Sequence, residues 1–222
     1  MKKIKARQMP NIVIMGPQGS GKGTQGEFLA KKLKIPKIST GDIYRDHIRR
    51  KTKLGVLTAS IINKGYLMPN HITNAIMTKE LQKSTMKRGF IVDGYPRNIV
   101  QAKALEAVGM PNFVILLTST TPTIIKRISA RRVCEDCKTI YHLKNLPPKK
   151  SGICDKCGGK LVQREDDMPQ AIHKRLSIYK VQTKPLIARY KKMGILESFD
   201  GEKPIPVVQK EIMKELKWRK VL

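Results

Sequence analysis

The sequence predicts an α/β protein built on a parallel sheet. Three observations lead there. The β-branched run Asn11-Ile12-Val13-Ile14-Met15 ends at Gly16-Pro17 and opens a glycine-rich turn. Further short apolar runs alternate with segments of helical period, the pattern of repeated βαβ units. Two stretches, residues 39–68 and 131–168, break the alternation and read as insertions into it.

Taken in order, Asn11-Ile12-Val13-Ile14-Met15 is predicted as a buried strand. Phe28, Leu29 and Leu33 recur at helical spacing, and Pro36 closes that helix. Residues 39–68 contain helical pieces and no strong strand. Phe90-Ile91-Val92-Asp93 is predicted as the second strand, stopped by Gly94-Tyr95-Pro96. A helix is expected over residues 98–108, a strand over 113–117, and a helix from Pro122 into Arg132. Residues 195–199 form the last predicted strand, before Asp200-Gly201. The helix after Pro206 carries Val208, Ile212 and Leu216 on one face. Residues 131–168 hold all four cysteines, Pro147-Pro148, Gly152 and Gly158-Gly159, so this small module needs something other than a core to hold it.

Hydrophobic residues are 40% of the 222, enough for a sizeable core. The longest apolar run, Phe113-Val114-Ile115-Leu116-Leu117, is too short to span a bilayer. The basic start lacks the apolar stretch of a signal peptide, so a cytoplasmic protein is expected. Charge is the unusual feature: 45 basic against 17 acidic residues give +28. Such an excess suits a polyanionic partner or a lysine-rich solvated surface. Aromatics are only 5% and do not interleave with the basic residues, so phosphate handling is favoured over a dedicated nucleic-acid face.

Gly16-Pro17-Gln18-Gly19-Ser20-Gly21-Lys22 fits G-x-x-x-x-G-K, with a strand before it and a helix after. Glycines there let backbone N–H groups wrap a phosphate, and the helix N-terminus adds partial positive charge. Gly23, not Ser or Thr, follows Lys22, and the hydroxyl arrives one residue later at Thr24. A Mg²⁺ ion is then expected to be held by phosphates and water, with Asp93 as an outer partner. No G-x-G-x-x-G fingerprint is present, which argues against a dehydrogenase.

Cys134 and Cys137 form one C-x-x-C pair, and Cys154 and Cys157 a second, sixteen residues on. This spacing is a strong zinc signal, although iron fits the same cage. Four thiolates leave no open position, so the metal is read as structural.

Together these segments resemble the adenylate kinases of the long, zinc-bearing type. The resemblance runs from about residue 11 to the end. It rests on residues 16–25, Ile38-Ser39-Thr40-Gly41-Asp42, Asp93-Gly94-Tyr95-Pro96-Arg97 with Gln101, Arg131-Arg132-Val133, Tyr141-His142, and Arg164-Glu165-Asp166-Asp167 with Arg175. It implies the P-loop nucleoside monophosphate kinase fold, a five-stranded parallel sheet flanked by helices with two mobile inserts. Residues 1–38, 69–130 and 168–222 would form the core, 39–68 the monophosphate-binding insert, and 131–167 the zinc-bearing lid. The implied reaction is Mg²⁺-dependent phosphoryl transfer, ATP + AMP ⇌ 2 ADP, in a chain of a type that is often monomeric. A UMP/CMP kinase or a GTP:AMP transferase is the neighbouring alternative. A basic zinc-ribbon protein binding nucleic acid is the alternative from another class.

The resemblance also assigns roles. Gly19, Ser20, Gly21, Lys22, Gly23 and Thr24 would cradle the ATP phosphates. Arg127 would lie over the ATP base, and Tyr141 and His142 would pack near it. Arg131, Arg164 and Arg175 would surround the moving phosphoryl group, with Lys22 following it and Asp93 nearby. Arg45 and Arg97 would hold the AMP phosphate, with Arg164 and Arg175 beside it. Thr40, Gly41, Met68, Gly94 and Gln101 would line the AMP base site. Arginine suits this work because its rigid fork matches phosphate oxygens and stays charged. Each of these arginines, taken alone, also fits a solvated helix face. Two departures from the family pattern stand out. Pro69-Asn70-His71 follows Met68 where an acidic pattern is usual, and is expected to touch hinge behaviour rather than substrate choice. Asn145-Leu146-Pro147 replaces an aromatic-Asn-Pro run, which weakens the expected stacking on the ATP base.

Overall fold

The computed structural model describes residues 9–221. Five strands form one parallel sheet: β1 (Asn11–Met15), β2 (Lys37–Ser39), β3 (Phe90–Asp93), β4 (Phe113–Thr118) and β8 (Leu196–Asp200). Their order across the sheet is β2-β3-β1-β4-β8. Central β1 pairs with β3 through Ile12↔Ile91 and with β4 through Ile12↔Phe113.

Both faces of the sheet are covered, which is why its strands read as continuous apolar runs. Side chains alternate along each strand. Val13, Met15, Val92, Val114 and Leu116 face one core. Helices α4 (Asn70–Leu81), α5 (Ile99–Val108) and α8 (Lys184–Lys192) fill it with Met77, Leu105 and Tyr190. Ile12, Ile14, Ile91, Ile115 and Leu117 face the other. There they meet α1 (Lys22–Leu33) and α9 (Ile205–Trp218) through Leu29, Val208, Ile212 and Leu216.

Two segments lie outside this sandwich. Residues 39–68 form α2 (Thr40–Arg49) and α3 (Lys53–Ile62), capped by the side chains of Ser39 and Thr52. Residues 131–162 form a small antiparallel sheet, ordered β6-β5-β7: β5 (Arg131–Cys134), β6 (Ile140–His142) and β7 (Leu161–Val162). A chain of helical turns follows it: Glu165–Asp167, then α7 (Pro169–Ile178), then a π-type turn at Tyr179–Thr183 leading into α8.

Several boundaries differ from expectation. Strand β2 was not foreseen, because three residues behind Pro36 are too few for any period to show. The helix expected to run into Arg132 is α6 (Thr121–Ser129); it stops at Ser129 because Arg131 already pairs in β5. The last helix starts at Ile205, with Pro206 in its first turn, where a missing N–H costs nothing. No helix among the described residues is long and apolar enough to cross a membrane.

Candidate active site and cysteine cluster

The turn after β1 runs along the carboxyl end of the sheet and delivers Lys22 at the start of α1. Gly16 has φ +142°, and a Cβ there would meet the Leu117 carbonyl at 2.4 Å. Gly21 caps α1 at φ 99° with no side-chain cap, so the first N–H groups of the helix face the cavity without an internal partner. Gln18 anchors the turn from outside by donating to the Ile172 carbonyl of α7 at 2.8 Å.

A cavity of about 700 Å³ opens above this turn. Gly19, Ser20, Gly21, Lys22, Gly23 and Thr24 form its floor. Asp93, at the end of β3, stands beside it: a Cβ at Gly23 would lie 3.9 Å from its Oδ2. Arg97, Arg131, Arg164 and Arg175 enter the same wall from four different segments, and Gly41, Arg45 and Gly94 line it toward α2. Arg127, Tyr141 and His142 line the opposite end.

A smaller pocket of about 40 Å³ adjoins it, lined by Thr40, Gly41, Arg45, Met68, Gly94, Arg97, Gln101 and Arg175. Thr40 Oγ1 donates to the Gly94 carbonyl at 2.9 Å, and Arg97 Nε donates to the same oxygen at 2.9 Å. The two pockets share Arg45, Arg97 and Arg175, so a ligand in one lies next to a ligand in the other across guanidinium groups.

Electrostatics show what this wall lacks. Burial, only partly offset by Asp93, and the cations Arg97, Arg175 and Arg131 push Lys22 down to about 7. Burial, together with Arg45 and Arg131, brings Arg164 down to about 9. Burial also lowers Arg175 to about 10, Asp166 opposing it. Crowded cations destabilise one another until an anion arrives. Arg164 Nε and Ser20 Oγ are buried without a hydrogen-bond partner, and unmet buried donors of that kind suit phosphate oxygens.

Two carboxylates aim the arginines. Asp167 accepts from Nε of Arg131 at 2.8 Å and from its Nη2. Asp166 accepts from Arg175 Nη1 at 2.6 Å. Burial works to raise the Asp166 carboxyl, but Arg175, Arg45, Arg164 and Arg131 outweigh it and hold it below the usual range.

Comparison with known proteins fits this geometry. The family model described as adenylate kinase matches residues 14–195. An adenylate kinase of Caldanaerobacter subterraneus subsp. tengcongensis is 47% identical over 210 residues, covering 92% of this chain and 95% of that one. An adenylate kinase of Thermoanaerobacter sp. is 42% identical, covering 92% and 97%. One of Streptomyces coelicolor is 42% identical over 212 residues, covering 93% and 98%. The chain belongs to the adenylate kinase family. It is accordingly a phosphotransferase of the nucleoside monophosphate kinase class.

Within this adenylate kinase chain the four cysteines converge. The sulfurs of Cys134, Cys137, Cys154 and Cys157 all lie within 4.8 Å of one another, and none is in a disulfide. Cys134 and Cys157 are 3.4 Å apart, as are Cys137 and Cys154. A tetrahedron of Zn–S bonds about 2.3 Å long has edges of about 3.8 Å, so the cage has the size and donor set for that ion. Among the described residues, Tyr141 and Leu161 pack with the buried Cys134 and Cys154 in one small apolar cluster.

Two expected base-packing residues differ in how they stand. The Tyr141 hydroxyl is turned to the cysteine module: it accepts from Asp155 N at 2.8 Å and lies 3.4 Å from Cys154 Sγ. His142 is outside the cage. Its Nδ1 accepts from the backbone N–H groups of Lys144 and Asn145 at 3.1 Å each, which puts the ring proton on Nε2, buried and without a partner.

Three further residues make contacts that the sequence does not announce, although Asn70 already stands out in it as a departure from the family pattern. Gln18 was only a variable position of the glycine-rich turn. Glu202, in the β8–α9 loop, binds the start of α6 through Thr120 N at 2.6 Å. Asn70, at the start of α4, accepts from Gln101. Each acts through a partner at least 31 positions away, and no local pattern announces such a contact.

Proposed function

We propose that this chain catalyses reversible phosphoryl transfer between Mg·ATP and AMP, giving two ADP. The observation that carries the reading is the convergence of Lys22, Arg97, Arg131, Arg164 and Arg175 on one cavity above the phosphate-binding turn. Two nucleotides facing each other bring many negative charges together, and that wall is built to neutralise them.

In this reading the N–H groups at Gly19 to Thr24 bind the β- and γ-phosphates of ATP. Lys22 tracks the transferred group. Arg131, Arg164 and Arg175 surround it, and Arg45 and Arg97 hold the AMP phosphate. Thr40, Gly41, Met68, Gly94 and Gln101 form the AMP side, and Arg127, Tyr141 and His142 the ATP base end. No general base is needed, because the attacking phosphate oxygen of AMP is already ionised at neutral pH. Mg²⁺ bound with ATP would be held by phosphates and water, with Asp93 as an outer partner, and would supply charge neutralisation. Zn²⁺ in the four-cysteine cage would stiffen the 131–167 segment. Residues 39–68 and 131–167 act as the covers that exclude water over a core of residues 1–38, 69–130 and 168–222. A monomer acting in the cytoplasm is the form proposed.

The test is ADP formation from Mg·ATP with each nucleoside monophosphate in turn, using metal-replete protein. Fast turnover with AMP is expected, and Lys22→Ala and Arg97→Ala should each abolish it with the fold intact. Preference for UMP or CMP would overturn the acceptor assignment.

A further inference from the structure

Gln101 stands in the first turn of α5, 2% exposed, and its amide is held at both ends. Its Oε1 accepts from the backbone N–H of Arg97 at 2.8 Å, and its Nε2 donates to Asn70 Oδ1 at 3.1 Å. Asn98 beside it is held in the same sense. Its Oδ1 accepts from the backbone N–H of Gln101 at 3.0 Å, and its Nδ2 donates to Asn70 Oδ1 at 2.9 Å. Asn98 Nδ2 also reaches Gln182 Oε1 at 3.3 Å.

The oxygen and nitrogen of a side-chain amide have nearly the same shape, so packing alone does not say which end is which; partners decide. Here two backbone N–H groups decide. Neither can accept, so the Arg97 N–H demands the oxygen of Gln101, and the Gln101 N–H demands the oxygen of Asn98. Both NH2 groups are then turned toward Asn70, which has to offer an oxygen to both. Asn70 comes from another element, 31 residues before Gln101.

We propose that Asn70 is a positioning residue that, together with the Arg97 N–H, fixes the polarity of the Gln101 amide and thereby favours an adenine over a 6-oxopurine acceptor. The proposal rests on the reading of Gln101 as a base-contacting residue. Gln101 lines the smaller pocket, and after these two bonds its amide still has one N–H and one oxygen lone pair to offer, in a fixed order. Adenine presents an amine donor beside a ring-nitrogen acceptor. A 6-oxopurine presents the reverse, an oxygen acceptor beside a ring N–H donor. A Gln101 free to flip would serve both; a flipped amide would set its NH2 against the Arg97 N–H and its oxygen against Asn70 Oδ1, so Asn70 adds its acceptor to the Arg97 N–H in excluding that state.

The experiment measures kcat and KM for AMP and for inosine monophosphate, at saturating Mg·ATP, in the wild type, Asn70→Leu, Asn70→Ala, Asn70→Asp and Gln101→Leu. Removing the acceptor should raise KM for AMP about tenfold, the size of one hydrogen bond. It should leave kcat and the KM for ATP near wild type, and narrow the AMP-over-inosine preference. Asn70→Asp keeps an oxygen acceptor and should restore both KM and preference. A purely structural role would lower kcat and melting temperature with the preference unchanged, and that result overturns the proposal. Two truncations are included so that a folding failure in one leaves the other to decide. Gln101→Leu separates the levels. If it raises KM for AMP while Asn70→Leu and Asn70→Ala keep the wild-type preference, the positioning role alone is wrong. If Gln101→Leu leaves KM for AMP unchanged, the base-contact reading fails and the proposal with it.

Discussion

Asp167 grips Arg131 through both Nε and Nη2, across 36 residues, and is itself only 1% exposed. The pair ties the first residue of β5 to the turn before α7, and so closes residues 131–167 at their base. It also sets where the guanidinium stands relative to Arg164 and Lys22. Asp167→Ala leaves a cation among cations. Removing one partner of a buried pair costs more than the pair contributes, because the other charge stays unmet. Arg131 still borders the cavity, so water relieves part of the penalty. The expected loss is about 2 kcal/mol, or about 5 °C in melting temperature for a chain of this length. kcat should fall about tenfold or more, since a misplaced arginine loses its aim. Asp167→Asn, which keeps one acceptor, should fall between. Thermal melts and initial rates check both.

The lowered value of Lys22, about 7 against an ordinary 10.5, has a sign that can be worked out. The empty folded site disfavours the proton. Between pH 7 and 10.5 the unfolded chain therefore binds more protons, and stability of the empty protein rises with pH across that window. Below pH 7 both states hold the proton and the penalty is present in full. Phosphates of a bound nucleotide reverse the balance and restore the charge. At pH 8, ATP binding should take up about one proton. Calorimetry of ATP binding in buffers of different ionisation heat measures it, and Lys22→Met should abolish most of the uptake.

The cysteine cage predicts one metal per chain in protein purified without chelator. Cys154→Ser should lose that metal and melt earlier. Apolar packing in residues 131–162 is confined to a few side chains around the buried cysteines, so little else holds this sheet. The main parallel sheet has its own two cores and should keep its secondary structure. Elemental analysis and circular dichroism of the variant against the wild type decide the matter. A variant that keeps a full equivalent of metal would remove the cage from the account.

What the chain announces in advance follows from the range of the interactions. Strands β1, β3 and β4 are buried on both faces, so their apolar runs stand out locally. The glycine-rich turn is legible because its conformation needs glycine at fixed offsets, and the cysteines because metal geometry fixes their spacing. Strand β2 exists only because β3 offers it an edge, at Ile38↔Val92, and its own three residues carry no period. Helix α4 is similar: of its twelve residues only Thr73, Met77 and Leu81 are buried, too thin a stripe to stand out. The arginines were individually ambiguous in a chain with 45 basic residues. Their joint placement beside the family motifs separates them from lysines on solvated faces, and the fold adds that they line one cavity. Glu202 was invisible for the same reason, and Asn70 showed only as a departure from the family pattern, since their partners lie far along the chain.

Glu202 carries the last prediction. Its carboxylate accepts from Thr120 N at 2.6 Å, Ser119 Oγ at 3.2 Å and Thr123 Oγ1 at 3.0 Å. It thus caps α6, whose own N-cap, Thr120, makes no capping bond. These hydrogen bonds, led by the Thr120 N–H, hold the carboxyl down to about 2. Helix α6 in turn sends Arg127 back to the same loop, where Nη1 donates to the Gly201 carbonyl at 2.7 Å. Loop and helix therefore position each other at the end of the cavity proposed for the ATP base. Without the carboxylate, the α6 terminus loses its cap and Arg127 loses a fixed loop to bind. Glu202→Ala should raise KM for ATP severalfold and leave KM for AMP near wild type, because the smaller pocket shares no residue with this loop. Since the carboxyl stays ionised down to about pH 2, its contribution is present above the ordinary carboxylate range and is lost only as pH falls through the lower value. The difference in KM for ATP between variant and wild type should accordingly hold constant from pH 5 to 8. A difference that fades within that range, or an equal rise in KM for AMP, would show that the loop acts on the whole site rather than on its ATP end.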